Sequence, residues 1–174
     1  LSIAGLSELE ILRIKNTSIS TISDLSRLKK LKTLIIENNL ELRNLSGISG
    51  LDSLEKLVIK NCPSLTDLNF ISGFKNLKNI QITGCGIVST KGLFDLPRIE
   101  NINLNDNYRL EGTDELADLN SLEVVSLCRC ENLKSIQHLS KLKNMSCLKV
   151  ENHNLERFED VSGLLQPLLE GLRK

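Results

Sequence analysis

A curved solenoid of the α/β class, built from about seven short units, is the architecture this sequence predicts. Three observations predict it. An aliphatic residue recurs in the same local frame at Leu12, Leu34, Leu57, Ile80, Ile102, Val125 and Leu148, in steps of 22, 23, 23, 22, 23 and 23 residues. Around each of these positions, alternate residues are aliphatic, as in Leu12 and Ile14 or Leu57 and Ile59. Further on, apolar residues fall at every third position, as in Ile19, Ile22 and Leu25. A fixed period of roughly 20–29 residues marks stacked units that each pack only on their neighbours.

Each element follows from its local pattern. The alternating segment is a short strand with every second side chain turned inward. Such a strand is too short to stand alone. The connection back consumes most of the remaining unit, so successive strands must pair in parallel. Parallel strands on one side and longer connections on the other bend the stack into an arc, with the sheet on the concave face. The third-position spacing of the return suits 3₁₀ turns or extended chain better than an α-helix. A unit of 22 or 23 residues leaves little room for a long helix, so the convex side should be thin.

The units share a fuller pattern. The sixth runs Leu119, Leu122, Val125, Leu127, Cys130, Leu133, Ile136; the third runs Leu51, Leu54, Leu57, Ile59, Cys62, Leu65, Leu68. Both are versions of L-x-x-L-x-L-x-x-N/C-x-L. On these residues the chain resembles the leucine-rich-repeat family over nearly its whole length. The short units with aliphatic returns are similar to those of a regulatory subunit of type 1 protein phosphatase and of bacterial internalins. Asn39-Leu40-Glu41-Leu42 and Cys130-Glu131-Asn132-Leu133 are similar to repeats of plant immune receptors and of cysteine-containing adaptors. The resemblance implies a scaffold and carries no functional residue across. It also implies that one column, Thr17, Asn39, Cys62, Cys85, Asn107, Cys130 and His153, turns inward after the strand and bonds neighbouring backbone. Compact groups with a donor suit that task, because buried carbonyls need partners.

A single domain over 1–174 is expected, with repeats near 6–28, 29–50, 51–73, 74–95, 96–118, 119–141 and 142–164. The remainder, 165–174, is expected to be a C-terminal cap or a partial repeat, with Leu165, Leu168, Leu169 and Leu172 as the covering residues. The chain opens late in a repeat, since Ile3 aligns with Leu25 and Leu6 with Leu28, so it reads as a piece of a longer protein.

Composition narrows the function. About 40% of residues are hydrophobic, 25% are charged and the formal net charge is zero, so no global field favours nucleic acid or an anionic membrane. One Tyr and no Trp provide no evident platform for stacking bases. No apolar run approaches the roughly 20 residues that span a bilayer. The five cysteines form an odd set, which argues against a disulfide framework and suits a reducing, intracellular and cytoplasmic setting. A bridge between Cys62 and Cys85, in one column of adjacent repeats, would be strained. Cys128-x-Cys130 lacks the spacing and the second pair of ligands of a zinc site. Gly84-Cys85-Gly86 reads as a tight turn out of the fourth strand. His138 falls on a return segment, where it is expected to be exposed, with no Ser, Cys or carboxylate beside it as a nucleophile–base pair. No catalytic residue, cofactor or metal is therefore expected, and the protein is read as a non-enzyme.

What remains is surface. The columns facing out of the concave sheet give the candidate partner-binding residues Arg13, Lys15, Ile35, Glu37, Val58, Lys60, Gln81, Asn103, Asn105, Val124, Cys128 and Arg129. Ile35 with Val58, and Val124 with Cys128 and Cys147, are the candidate apolar anchors. A neutral polar middle of Gln81, Asn101, Asn103 and Asn105 lies between them, and the cations form the rim. The expected function is recognition of a protein partner on the concave face, with no nucleic acid and no membrane span. Two alternatives stay open: a component of a large permanent assembly, or the target-recognition part of a larger sensor or ligase.

Overall fold

The computed structural model describes residues 5–22 and 25–151. Seven strands run through it: β1 (Ile11–Lys15), β2 (Thr33–Glu37), β3 (Lys56–Lys60), β4 (Asn79–Thr83), β5 (Asn101–Asn103), β6 (Val124–Ser126) and β7 (Cys147–Lys149). They form one sheet in chain order, every pair parallel. Leu12, Leu34, Leu57, Ile80, Ile102, Val125 and Leu148 are successive register partners, so the column read from the sequence is the register of the sheet. Past the shorter strands the ladder continues, with Leu104 N–H donating to Ser126 O at 2.9 Å and Leu127 N–H to Lys149 O at 2.8 Å.

One face of the sheet is closed by the return segments. Four of these contain 3₁₀ turns, at Ser46–Ile48, Asn69–Ile71, Asp114–Asp118 and Gln137–Lys141, and no α-helix occurs among the described residues. The third-position spacing explains the choice. In a 3₁₀ turn residues i and i+3 eclipse, so one apolar row faces inward. Ile48 N–H donates to Leu45 O, Ile71 N–H to Leu68 O and Leu139 N–H to Ile136 O, each at 3.0 Å, and all six side chains are buried. Strand residues such as Leu34, Leu57, Ile102 and Val125 meet this row to form one continuous core. The leucines expected to cap the far end, and His153, lie outside the described residues.

The strand ends hold a feature that the repeat pattern alone does not announce. Asn16, Asn38, Asn61, Gly84, Asp106 and Arg129, one per repeat, all take left-handed backbone with φ of 53°, 56°, 52°, 64°, 62° and 57°. Gly carries no Cβ penalty there, and short polar side chains tolerate the region. Three asparagines also form a ladder: Asn38 Nδ2 donates to Asn16 Oδ1 at 2.8 Å and Asn61 Nδ2 to Asn38 Oδ1 at 2.9 Å. A Cβ on Gly84 would lie 2.7 Å from Asn61 Oδ1, so the ladder ends against a glycine. This is the turn expected at Gly84. Arg129 has no short side chain to ease its backbone; its guanidinium instead grips Asp106 with two bonds of 2.5 and 2.9 Å.

Candidate interaction surface on the open sheet face

The other face of the sheet is uncovered. Its floor is set by the column beneath it, which anchors each strand end. Asn39 and Asn107 are fully buried. Asn107 Nδ2 donates to Ile82 O and Leu104 O, both at 2.7 Å, while its Oδ1 accepts from Cys85 N–H at 2.9 Å. Cys130 Sγ donates to Leu104 O at 3.2 Å, and Cys62 Sγ to Lys60 O at 3.4 Å. This is the backbone-bonding role expected of that column.

A trough of about 350 Å³ runs along the open face from β3 to β7. It gathers Val58, Gln81, Asn103, Asn105, Val124 and Cys128 of the expected residues, and leaves out Arg13, Lys15, Ile35, Glu37, Lys60 and Arg129. It also holds Asn101, expected in the polar middle, and adds Lys56, Asn79, Ser126 and Lys149. The added residues share strand columns with the expected ones, so register was the signal that could have found them.

Three expected residues prove to be less available than their columns imply. Val58 points to the open face but is only 4% exposed, because Ile35 and Gln81 flank it in register. Asn105 Oδ1 is occupied by Ser126 Oγ and Cys128 N–H, each at 2.8 Å, so this amide ties two repeats together. Arg129 is committed to Asp106. Ile11, by contrast, is 57% exposed on β1 and is the more open aliphatic residue.

The carboxamides differ in their commitments. Asn103 Oδ1 accepts from Asn105 N–H at 3.0 Å. The side chains of Asn79, Gln81 and Asn101 make no hydrogen bond to the described residues and are half-buried. Asn79 faces Asn101 in register and Gln81 faces Asn103, so the middle of the trough is a block of four amides. Charge on this face is uneven. Its outward columns hold six cations and three anions among the described residues, in a chain of zero formal charge. Lys15 pairs with Glu37, which holds that carboxyl below its usual range chiefly through their hydrogen bond, and Arg129 pairs with Asp106. Arg13, Lys56, Lys60 and Lys149 have no ion-pair partner among the described residues.

His138 departs from expectation. It is half-buried, with Nε2 2.8 Å from Thr113 Oγ1 and Nδ1 3.3 Å from Asp114 Oδ1. The solenoid stacks return segments 25 residues apart, which brings a hydroxyl and a carboxylate to this ring. The order Asp–His–Thr is that of a nucleophile relay, but Thr113 is 0% exposed, so no substrate carbonyl reaches its oxygen. The contact ties neighbouring repeats.

All five cysteines are free thiols. Burial pushes the Cys130 thiol up to about 11. The Cys85 thiol, hydrogen-bonded to Cys62 and buried, is raised well beyond its ordinary value. Protonated thiols in such surroundings are poor nucleophiles. Cys128 and Cys147 are half-buried on the open face, and Cys128 lines the trough. Among the described residues no group of three or more His, Cys, Asp or Glu side chains is placed to hold a metal ion, and no helix is long and apolar enough to cross a membrane.

No protein-family model matches the chain, and no curated protein matches it in sequence. Solved structures do match in fold. Internalin C2 of Listeria monocytogenes str. 4b F2365 aligns over 94% of this chain and 80% of its own, at 19% identity and a TM-score of 0.63. Internalin inlF of the same strain aligns over 92% of this chain and 59% of its own, at 16% identity and a TM-score of 0.55. TLR13, in complex with ssRNA13, aligns over 94% of this chain and 29% of its own, at 20% identity and a TM-score of 0.67. The chain thus spans less than two thirds of internalin inlF and of TLR13. With the strand register, the column of backbone-bonding residues and these likenesses together, the chain folds as a leucine-rich-repeat solenoid.

Proposed function

We propose that the chain is a non-catalytic recognition module that binds a protein partner on the open face of its sheet. The observation that carries this reading is the trough, with three amides that have donors and acceptors to spare. Amides half-buried without partners lose water on binding and gain matched hydrogen bonds, which favours a polar ligand that fits. Ile11 and Ile35 supply apolar area beside it, and the unpaired cations supply a rim. The cysteine chemistry suits a reducing compartment, since two of the five thiols are partly open to solvent and unbridged. The TLR13 structure contains single-stranded RNA. Here no aromatic residue stands in the outward columns, so stacking does not support that ligand.

One observation favours the assembly reading. Leu40, Phe94 and Tyr108 are 61%, 56% and 51% exposed, and all lie off the outward strand columns. Affinity capture from the source cells separates the two. An Asn101→Arg, Val124→Arg variant fills the trough and is expected to lose its partner at least tenfold. A Phe94→Ser variant is expected to keep it. Retention by the trough variant with loss in the Phe94 variant would overturn the open-face reading and support an assembly component.

A further inference from the structure

The trough has a length, a middle and two ends, and these specify a ligand more narrowly than its existence does. Lys56 on β3 and Lys149 on β7 both line it, at opposite ends. Four strand spacings separate β3 from β7, or about 19 Å. An extended peptide advances roughly 3.3 Å per residue, so about six residues cover that distance. The middle is Asn79, Gln81 and Asn101, whose carboxamides are unpartnered among the described residues. A carboxamide carries a donor and an acceptor in the arrangement of a peptide group, so it pairs with a main chain regardless of side-chain identity. Among the described residues, the lysines at the two ends have no carboxylate partner of their own.

We propose that the trough takes an extended acidic peptide segment of about six residues lying across the strands from β3 to β7, with one carboxylate on Lys56, another on Lys149, and its main chain read by Asn79, Gln81 and Asn101. The inference rests on the open-face reading above and deepens it. Charge complementarity selects the occupant: this face carries an excess of three cations although the whole chain is neutral. Electrostatic complementarity acts on specificity and encounter rate, so binding should weaken as salt rises. A basic or a neutral segment would leave both lysines unsatisfied.

Panning the full chain against a phage-displayed library of random dodecapeptides tests this. Peptides with two acidic residues spaced five or six apart are expected to be enriched. A synthetic peptide from that pool, followed by fluorescence anisotropy, is expected to bind about tenfold more weakly to a Lys56→Gln, Lys149→Gln variant. A Gln81→Leu, Asn101→Leu variant should weaken every enriched peptide by a similar factor, whatever its middle sequence, and thermal melting would confirm that both variants remain folded. Enrichment of basic or neutral peptides, acidic enrichment with no spacing preference, or no enrichment would overturn the proposal. So would tighter binding of a 13-nucleotide oligouridine RNA than of any enriched peptide. If the trough variant loses its cellular partner while panning yields no acidic pair, the open-face function stands and this inference alone fails.

Discussion

Replacing Asn107 by Leu is expected to destabilise the solenoid by about 3–5 kcal/mol, enough to unfold it at modest temperature. The side chain is 0% exposed, and Leu has the same branched outline of four heavy atoms, so shape alone predicts only the modest cost of a bulkier group. The hydrogen bonds predict otherwise. The amide satisfies Ile82 O and Leu104 O and receives Cys85 N–H. Leu leaves Ile82 O and the Cys85 N–H buried without that partner, at about 1–3 kcal/mol each, and leaves Leu104 O with the Cys130 thiol as its remaining side-chain donor. Asn107→Cys should be milder, because Cys130 already donates to a carbonyl from this column, although a thiol accepts poorly from the Cys85 N–H. Urea unfolding is expected to rank the variants wild type, Cys, Leu in falling stability. A Leu variant as stable as the parent would refute the backbone-bonding role of the column.

Gly92→Ala is the second large effect. Gly92 has φ of 103°, where L-residues are strained, and a Cβ there would lie 2.3 Å from Leu68 O, 2.4 Å from Leu68 C and 2.7 Å from Asn69 N. These are backbone atoms of the preceding repeat, beside its 3₁₀ turn, so they cannot swing aside as a flexible side chain would. Strain plus displacement predicts a loss of about 3 kcal/mol or more. Gly112 is the control. A Cβ there meets nothing nearer than Asp114 Oδ2 at 3.6 Å, and its φ is ordinary. Gly112→Ala should be neutral or slightly stabilising, through the entropy of the unfolded chain. Equal losses at the two positions in thermal melts would show that the close stacking of returns is not what Gly92 serves.

Much of this was legible in the sequence because two periods were superposed. The repeat of 22 or 23 residues fixed which strands are neighbours, and the alternation within each strand fixed which side faces out. Together they specify register, so Asn79 was bound to face Asn101. The column of Thr17, Asn39 and Cys62 was readable for the same reason. Exposure was not. Outward orientation at Val58 did not mean accessibility, since its register neighbours cover it. The His138–Thr113 contact needed the exact offset of stacked returns, which a repeat of variable length does not give. The left-handed column carried a partial signal in its Asn, Gly and Asp residues, but Arg129 hid it. Which amides are spent and which are free depends on side-chain rotamers, so Asn105 and Asn101 looked alike.

The most direct test of open-face recognition uses a thiol already in the trough. Cys128 lines it, whereas Cys62, Cys85 and Cys130 are buried in the layer beneath. Iodoacetamide labelling, followed residue by residue by mass spectrometry, can be timed for the chain alone and for the chain with its captured partner. Alkylation of Cys128 is expected to slow at least tenfold in the complex. An unchanged rate at Cys128 in a saturated complex would contradict the account and move the partner to another surface.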